Sequence, residues 1–427
     1  MTTLPLNLID ETFLRLDHEG APSTAEAEVQ VEGRLDDDRM RGAFAAALAA
    51  HPMARVRFVR EPGGAGAWQI VEGLTGEDRF EVVHAADDAD TDAVRATILS
   101  RPLSLEVAPP LRARLVHTPA GDVVMLAANH AVSDGVGLQR LIRSIGRAYV
   151  GAPDPAPAIA AAAAHSLRFA SAEVTASQRL RAASAGWRRV ADAAVPAARV
   201  AADGGQGGNG YGVAGARAPV RPIVESDARK RAGATVNDVV VAAAHLAIDR
   251  WNREHGEPAG RISTMLAINA RPDAWRTEIV ANIAIADTVS TMAPDRESAA
   301  RCLAAVAAAT AELKRRGSAP ILEAMAAVPA GPVRRGVIEA ATGAGRQFAD
   351  TALLSNVGYV PRDWVGREFA ISRAGCVPPA MPAPLAIGAG SSDTELCVFV
   401  SFRRSLFDGP AAHRFAATVV DAIGLLV

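Results

Sequence analysis

Val124-Met-Leu-Ala-Ala-Asn-His130-Ala-Val-Ser-Asp134-Gly135-Val-Gly137 passes from an apolar run through a polar turn into an apolar stripe. Val123 to Ala128 is a continuous apolar run, the pattern of a strand buried on both faces. Asn129 to Gly135 is a short polar stretch. A helix follows, with Leu138, Leu141, Ile142, Ile145 and Tyr149 on one stripe and Gly151 placed to end it. A histidine therefore stands just past a buried strand, an acid lies four residues on, and Gly135 can take a positive φ or admit close packing. Two readings fit His130. A rigid strand end with an accessible turn suits a general base; a lone histidine at such a place is also often a satisfied structural residue.

Residues 35–50 read as a helix. Asp36, Asp37 and Asp38 favour its N-terminus, Met40, Phe44 and Leu48 repeat at four-residue spacing, and Pro52 stops it. Val56–Phe58 and Trp68–Ile70 read as short strands. Leu111–His117 alternates apolar and polar like a half-buried strand. Residues 151–164, rich in Pro and Ala, read as a linker, and a helical stretch runs through Trp187. Residues 203–218 contain GGQGGNGYG, the most flexible-looking segment. The halves are expected to divide between these breaks, as residues 1–185 and 186–427. In the second half, Thr235 to Asp238 opens a deeply buried helix with a capping box that uses Asp in place of Glu. The runs at 262–268, 279–289, 351–357 and 395–402 read as strands, and a last helix starts from Pro410. Each half mixes strands with helices, so the fold class expected is α/β (α+β) in two layered halves.

Composition narrows the function. At 427 residues the chain supports about two or three domains or one duplicated unit. Hydrophobic residues at 49% and a net charge of −2 exclude wholesale disorder and a global basic field for nucleic acid. Cys302, Cys376 and Cys397 are odd in number and lack CxxC spacing, so neither a disulfide framework nor a cysteine zinc site is expected. The N-terminus carries Asp10 and Glu11 instead of a basic leader, and no uncharged apolar run approaches the roughly 20 residues of a membrane span. A cytoplasmic protein is expected, without metal or cofactor. No GxSxG elbow is present, so a hydrolase-type covalent mechanism is disfavoured.

His130-Ala-Val-Ser-Asp134-Gly135 resembles the HxxxDG signature of the condensation-domain-like acyltransferases. That superfamily includes nonribosomal peptide condensation domains, polyketide-associated acyltransferases and the bacterial wax ester synthase/diacylglycerol acyltransferases. Other segments resemble its motifs in order: Leu8–Phe13 the opening motif, Arg101–Leu105 and Pro110–Arg114 the lead into the active-site strand, Ala234–Asp238 the start of the second half. Ile268–Pro272 resembles the segment with a strand-end arginine, and Ser355–Gly358 the late strand motif. Many members have two consecutive histidines; Asn129 stands in the first place here.

The resemblance implies two chloramphenicol acetyltransferase-like halves in a V-shaped pseudo-dimer around a central tunnel. It implies His130 as base, moving an acyl group from an acyl-CoA or acyl-carrier-protein thioester to a small-molecule hydroxyl or amine by direct attack, in specialised lipid or natural-product assembly. The alternatives are a free-standing condensation enzyme making an amide between carrier-bound substrates and a catalytically silent carrier-binding homologue. Asp134 is expected to pair with Arg271 and, with Gly135, to support the catalytic turn. Ser355, Asn356 and Asn282 are candidates for oxyanion or substrate contacts, against ordinary strand-end bonding for the first two and a structural place for the third. Asn237 and Asp238 are expected to cap their helix. The clusters Arg140/Arg143/Arg147, Lys314/Arg315/Arg316 and Arg334/Arg335 either meet coenzyme A phosphates or an acidic carrier, or form solvated helix faces.

Overall fold

The computed structural model describes residues 2–62, 64–157, 159–169, 174–180, 195–343 and 350–427. The division expected at 185/186, and the helical stretch ending at Trp187, lie outside them.

Three sheets form among these residues. β1 (Thr3–Pro5), β3 (Val56–Arg60) and β4 (Gly66–Ile70) make a small one in the order β1-β4-β3. In the first half, β2 (Thr24–Val31), β5 (Phe80–His84), β6 (Leu111–His117) and β7 (Val123–Asn129) join β12 (Ile371–Val377) in the order β12-β2-β7-β6-β5. The second half holds β8 (Tyr211–Pro219), β9 (Ile262–Asn269), β10 (Ala284–Thr291), β11 (Ala352–Tyr359), β13 (Leu385–Ser391) and β14 (Glu395–Arg403), in the order β10-β9-β11-β13-β14-β8. Sheet membership therefore does not follow chain order. β12 comes from the second half yet pairs antiparallel with β2, with Val377 opposite Glu26 and Ala374 opposite Val29.

The first core lies between its sheet and two helices, α2 (Asp37–Ala50) and α4 (Gly135–Val150). The α4 stripe is buried at every position expected, and Gly151 closes the helix with φ +70°. Two further helices in this half are α1 (Leu8–Leu16) and α3 (Asp88–Ser100). The second core packs the helices Val236–Glu254 and Gly409–Leu425 on the six-stranded sheet, with Trp251 edge-on to Phe407 and Phe415. Burying these apolar faces is the main term holding each half together.

Three expectations are corrected. Leu111–His117 is buried throughout: Arg112 donates to the carbonyls of Arg101 and Pro102, and Arg114 pairs with Glu81 at 2.8 Å, so the polar face is covered by its own partners. The run 279–289 is not one strand; the ladder begins at Ala284, because the backbone of Ile279–Ile283 is bonded elsewhere, as described below. The glycine-rich segment 203–218 does not stay loose, for β8 starts at Tyr211 and pairs along its whole length with β14.

Candidate active site

His130 follows the last residue of β7, and its backbone N–H donates to the Ser23 carbonyl at 2.7 Å. Phe13 of α1 lies flat on the imidazole, with ring centroids 4.1 Å apart and planes 5° from parallel. On the ring's edge, the Asn282 amide nitrogen lies 3.2 Å from Nδ1 and 2.5 Å from the His130 carbonyl oxygen. The residue is half-buried, with Phe13 on one face of the ring and Asn282 at its edge. Burial pushes its pKa below the usual histidine value, with its own carbonyl and the Asp134 charge opposing. The ring is therefore neutral at pH 7, the state a base requires.

Asp134 does not face that ring. It is the N-cap of α4, and its Oδ1 accepts from Gly137 N at 2.8 Å. Arg271, just past the end of β9, grips both carboxylate oxygens, Nη1 to Oδ2 at 2.8 Å and Nη2 to Oδ1 at 3.0 Å. Ile283 N adds a bond to Oδ2 at 2.8 Å, so four donors from the described residues occupy the carboxylate. Arg271 reaches on to the carbonyls of Ile279 and Ala281, and the latter also accepts from Asp134 N at 3.2 Å. These bonds replace the ladder that 279–283 would otherwise make. The pair is shut from solvent, at 0% and 4% side-chain exposure, where two-pronged guanidinium geometry matters most. A Ser-His-Asp-like relay is thus excluded by geometry: Asp134 holds the turn to the other half.

Gly135 does not use a positive φ. A Cβ there would stand 3.1 Å from Val357 Cγ1, so its use is close approach to β11. At Gly137 a Cβ would stand 2.9 Å from the Ala281 carbonyl oxygen, so a side chain would push away the segment that Asp134 holds.

Residues 12–262, more than half of the chain, match the condensation domain family. The chain belongs to that family. The family supports a condensation-type enzyme that forms an amide or ester bond. The chain is 31% identical over 441 residues to the uncharacterized protein Rv2305 of Mycobacterium tuberculosis, covering 99% of each. A stretch of 116 residues is 30% identical to bacitracin synthase 2 of Bacillus licheniformis, 27% of this chain and 4% of that one. Among solved structures it is similar to the first condensation domain of the calcium-dependent antibiotic synthetase, in complex with a substrate analogue (TM-score 0.71, 16% identity, 99% and 97% coverage). It is also similar to the starter condensation domain of rhizomide synthetase in complex with C8-CoA (TM-score 0.67, 14% identity, 100% and 95% coverage). These likenesses bear out the fold expected, two chloramphenicol acetyltransferase-like halves in a V.

The remaining condensation-domain residues fall into place around this centre. Asn129 bonds Asp17, the C-cap of α1, through Nδ2 at 2.8 Å, and Asp17 also accepts from Ser23 N at 2.8 Å. Asn129 therefore ties the histidine strand to the helix that carries Phe13. Ser355 lies on β11 beside the Cys376 thiol, which points at its carbonyl at 3.5 Å and its Oγ at 3.8 Å. Asn356 donates to Asn237 Oδ1 at 3.2 Å and accepts from Gly358 N at 2.9 Å. Among the described residues, no bond joins Ser355 or Asn356 to His130. Asp238 completes the capping box, whereas Asn237 joins Asn356 and links two of the sequence motifs.

Arg140, Arg147, Arg316 and Arg334 are engaged inside the fold, whereas Lys314 and Arg315 stay exposed on their helix. Arg140 and Arg147 both hold Asp154, Arg315 holds Glu312, Arg316 pairs with Asp287 and Arg334 with Glu11. Lys314 comes within 4.0 Å of Asp238. All three cysteines are buried, and burial raises each thiol to about 12, so none is a ready nucleophile at pH 7. Phe13 and Asp17 were missed as site residues; Phe13 stood in the opening motif, but nothing in its spacing marks contact with a residue 117 positions away.

Proposed function

We propose that this chain is an acyltransferase that moves an acyl group from an acyl-CoA or acyl-carrier-protein thioester to the hydroxyl, or amine, of a small molecule. One observation carries the reading: a neutral, enclosed imidazole at the meeting of the two halves, fixed in place with no carboxylate on its ring among the described residues. His130 accepts the acceptor's proton as its oxygen or nitrogen attacks the thioester carbonyl. The tetrahedral oxyanion collapses, the C–S bond breaks, and the imidazolium returns the proton to the departing thiolate. Ester or amide and free thiol result, with no acyl-enzyme. Asp134, Gly135 and Arg271 support the turn, and Ser355 and Asn356 remain the acceptor-side candidates on β11. No cofactor beyond the thioester co-substrate enters this chemistry, and no helix among the described residues is long and apolar enough to cross a membrane.

A second reading, amide formation between two carrier-bound substrates, is favoured by the segment similar to bacitracin synthase 2. One experiment separates them. Purified protein is given a panel of acyl-CoA and acyl-carrier donors with alcohol and amine acceptors, thiol release is followed, and products are identified by mass spectrometry. Thiol release that depends on acceptor supports acyl transfer. Products formed only when both substrates are carrier-bound select the second reading, and no product from any pair defeats both.

A further inference from the structure

We propose that one joint between the two halves is held shut by a proton: Glu26 is a carboxylic acid that donates to the Glu28 carboxylate, and removing its hydrogen drives the halves apart at that joint.

β2 turns Ala25, Ala27, Val29 and Val31 into the first core, so Thr24, Glu26, Glu28 and Gln30 line its opposite face. The second half comes down on that face. Val377 and Gly375 of β12 stand opposite Glu26 and Glu28 in the ladder, and a Cβ on Gly375 would collide with the Phe399 ring of β14. From the first half, α3 closes the remaining side. Arg95 grips both Glu28 oxygens at 2.7 Å, reaches Asp92 at 2.6 Å and lies 4.6 Å from the centre of the Phe399 ring. Asp92 extends the contact: it accepts from Gly215 N of β8 at 2.9 Å and lies 3.3 Å from His413 Nε2 on the helix Gly409–Leu425. Beside them, Ala21 and Leu99 of the first half share an apolar cluster with Tyr211, Val213, Cys397 and Phe399 of the second.

Glu26 sits within this contact and has no counter-ion of its own. It is 1% exposed, and neither of its oxygens accepts a hydrogen bond among the described residues. The groups that face it leave no charge to spare. Its own strand brings Glu28, and α3 brings Arg95 and Asp92, with His413 beyond. β12 brings Arg373, which holds Glu395 and Gln30, and the neutral thiol of Cys376; β14 brings the thiol of Cys397. β7 sets Ala127 opposite. Arg95 already serves two carboxylates, so a third would be a buried charge without a partner. Burial, and after it the Glu28 charge, push the Glu26 pKa well above the usual carboxylate range. As an acid, Glu26 has an O–H to give, and a Glu28 oxygen can accept it besides its bond from Arg95.

In an opened joint Glu26 meets water and takes the ordinary value of about 4.3. The closed joint thus keeps a proton that the open one releases. Closure is at full strength below that value and weakens as pH rises towards the raised pKa of the closed form. Across that window the open fraction grows about tenfold per pH unit. Asp134 and Arg271 tie the halves at a separate place, so the joint swings open about that pair.

Two measurements on the full chain test this. In D2O at neutral pH, the infrared spectrum should hold a carboxylic-acid C=O band that is missing in Glu26→Gln. Cys397 in the joint and Cys302 in the second core are also labelled with a small maleimide at rising pH and read by peptide mass spectrometry. Glu26→Gln is neutral at every pH and should keep the joint shut. The ratio of Cys397 labelling in the wild type to that in the variant should then rise about tenfold per pH unit, while the Cys302 ratio stays level. If Glu26→Gln does not fold, Glu26→Leu, equally neutral, replaces it in both measurements. A wild type without the acid band, a variant that keeps it, a Cys397 ratio flat with pH, or a Cys302 ratio that climbs alongside overturns the proposal. Neither measurement uses substrate, so a chain that transfers no acyl group would leave the result unchanged.

Discussion

Enclosure keeps the His130 ring neutral, and under the proposed function it also sets the pH range in which the residue would work. Its pKa lies below the usual value of about 6.5, so at neutral pH the ring is already deprotonated. The acid limb of kcat/KM against pH should therefore fall below that value, with a flat region above it. A midpoint at or above the ordinary histidine pKa would contradict the burial argument. His130→Ala should lower turnover by roughly 10²–10⁴-fold with the fold retained, the scale of losing a general base; circular dichroism beside a thiol-release assay measures both. Rapid quenching with donor alone, followed by mass spectrometry of the intact protein, should show no acyl adduct, since the thiols are raised to about 12 and Ser355 has no base at hydrogen-bond distance among the described residues.

The turn after β7 is an element held from outside itself. Asp134 and Arg271 are buried together, and removing either leaves a charge without its partner at a cost of about 3–5 kcal/mol. Asp134→Ala and Arg271→Ala should each lose stability on that scale in urea melts, and the double variant should lose less than the sum, because the two act as one unit. Additive losses would mean that the two side chains act separately. Much of this element was legible in sequence. The apolar run, the α4 stripe and the capping glycine are local patterns, and local patterns survive into the structure. Ile279–Ile283 was not legible, because an apolar run reads as strand until something else takes its backbone bonds; one taker, Asp134, lies far off in sequence, and the other, the nearby Arg271, takes them with its side chain. β8, β12 and β13 were missed for a different reason. Gly212, Gly215, Gly375, Gly388 and Gly390 break the apolar alternation that marks a strand, so their sequences read as turns.

Across the whole molecule, histidines pull stability in two directions with pH. His245, enclosed between Thr291 and Thr264, is pushed down to about 3 by burial and by the Arg296 charge. The unfolded chain takes up a proton there below about 6.5 while the folded chain does not, so stability falls as pH drops from that point towards 3. His165 is the opposite case: burial opposes its charge, Asp10 outweighs burial, and the stability it adds is lost as pH rises through its raised pKa. Urea midpoints measured from pH 7 to pH 4 should decline, and His245→Asn, if it folds, should flatten that decline. A second expectation follows from β12: a fragment ending at residue 185 lacks the strand that covers β2 and should aggregate, as an open edge offers unpaired N–H and C=O groups to other chains. A monomeric, cooperatively melting fragment in sedimentation and thermal scans would refute it.

The β12–β2 pairing also puts the molecule on a clock. Val31 and Ile371, partners in that ladder, are 340 positions apart (371 − 31). At a ribosomal rate of roughly 5–20 residues per second, about 17–70 s pass between the emergence of one and of the other. Once β7 has followed it out, β2 has a partner on one side and, until β12 emerges, nothing to pair with on the other. Glu26, Glu28 and Gln30 occupy alternate positions of the waiting strand, and carboxylates still in water discourage a stranger from joining it. When β12 arrives, Glu26 goes under cover and burial raises its pKa well above the usual range. Nascent chains paused before codon 371 should accordingly be the ones that chaperones hold.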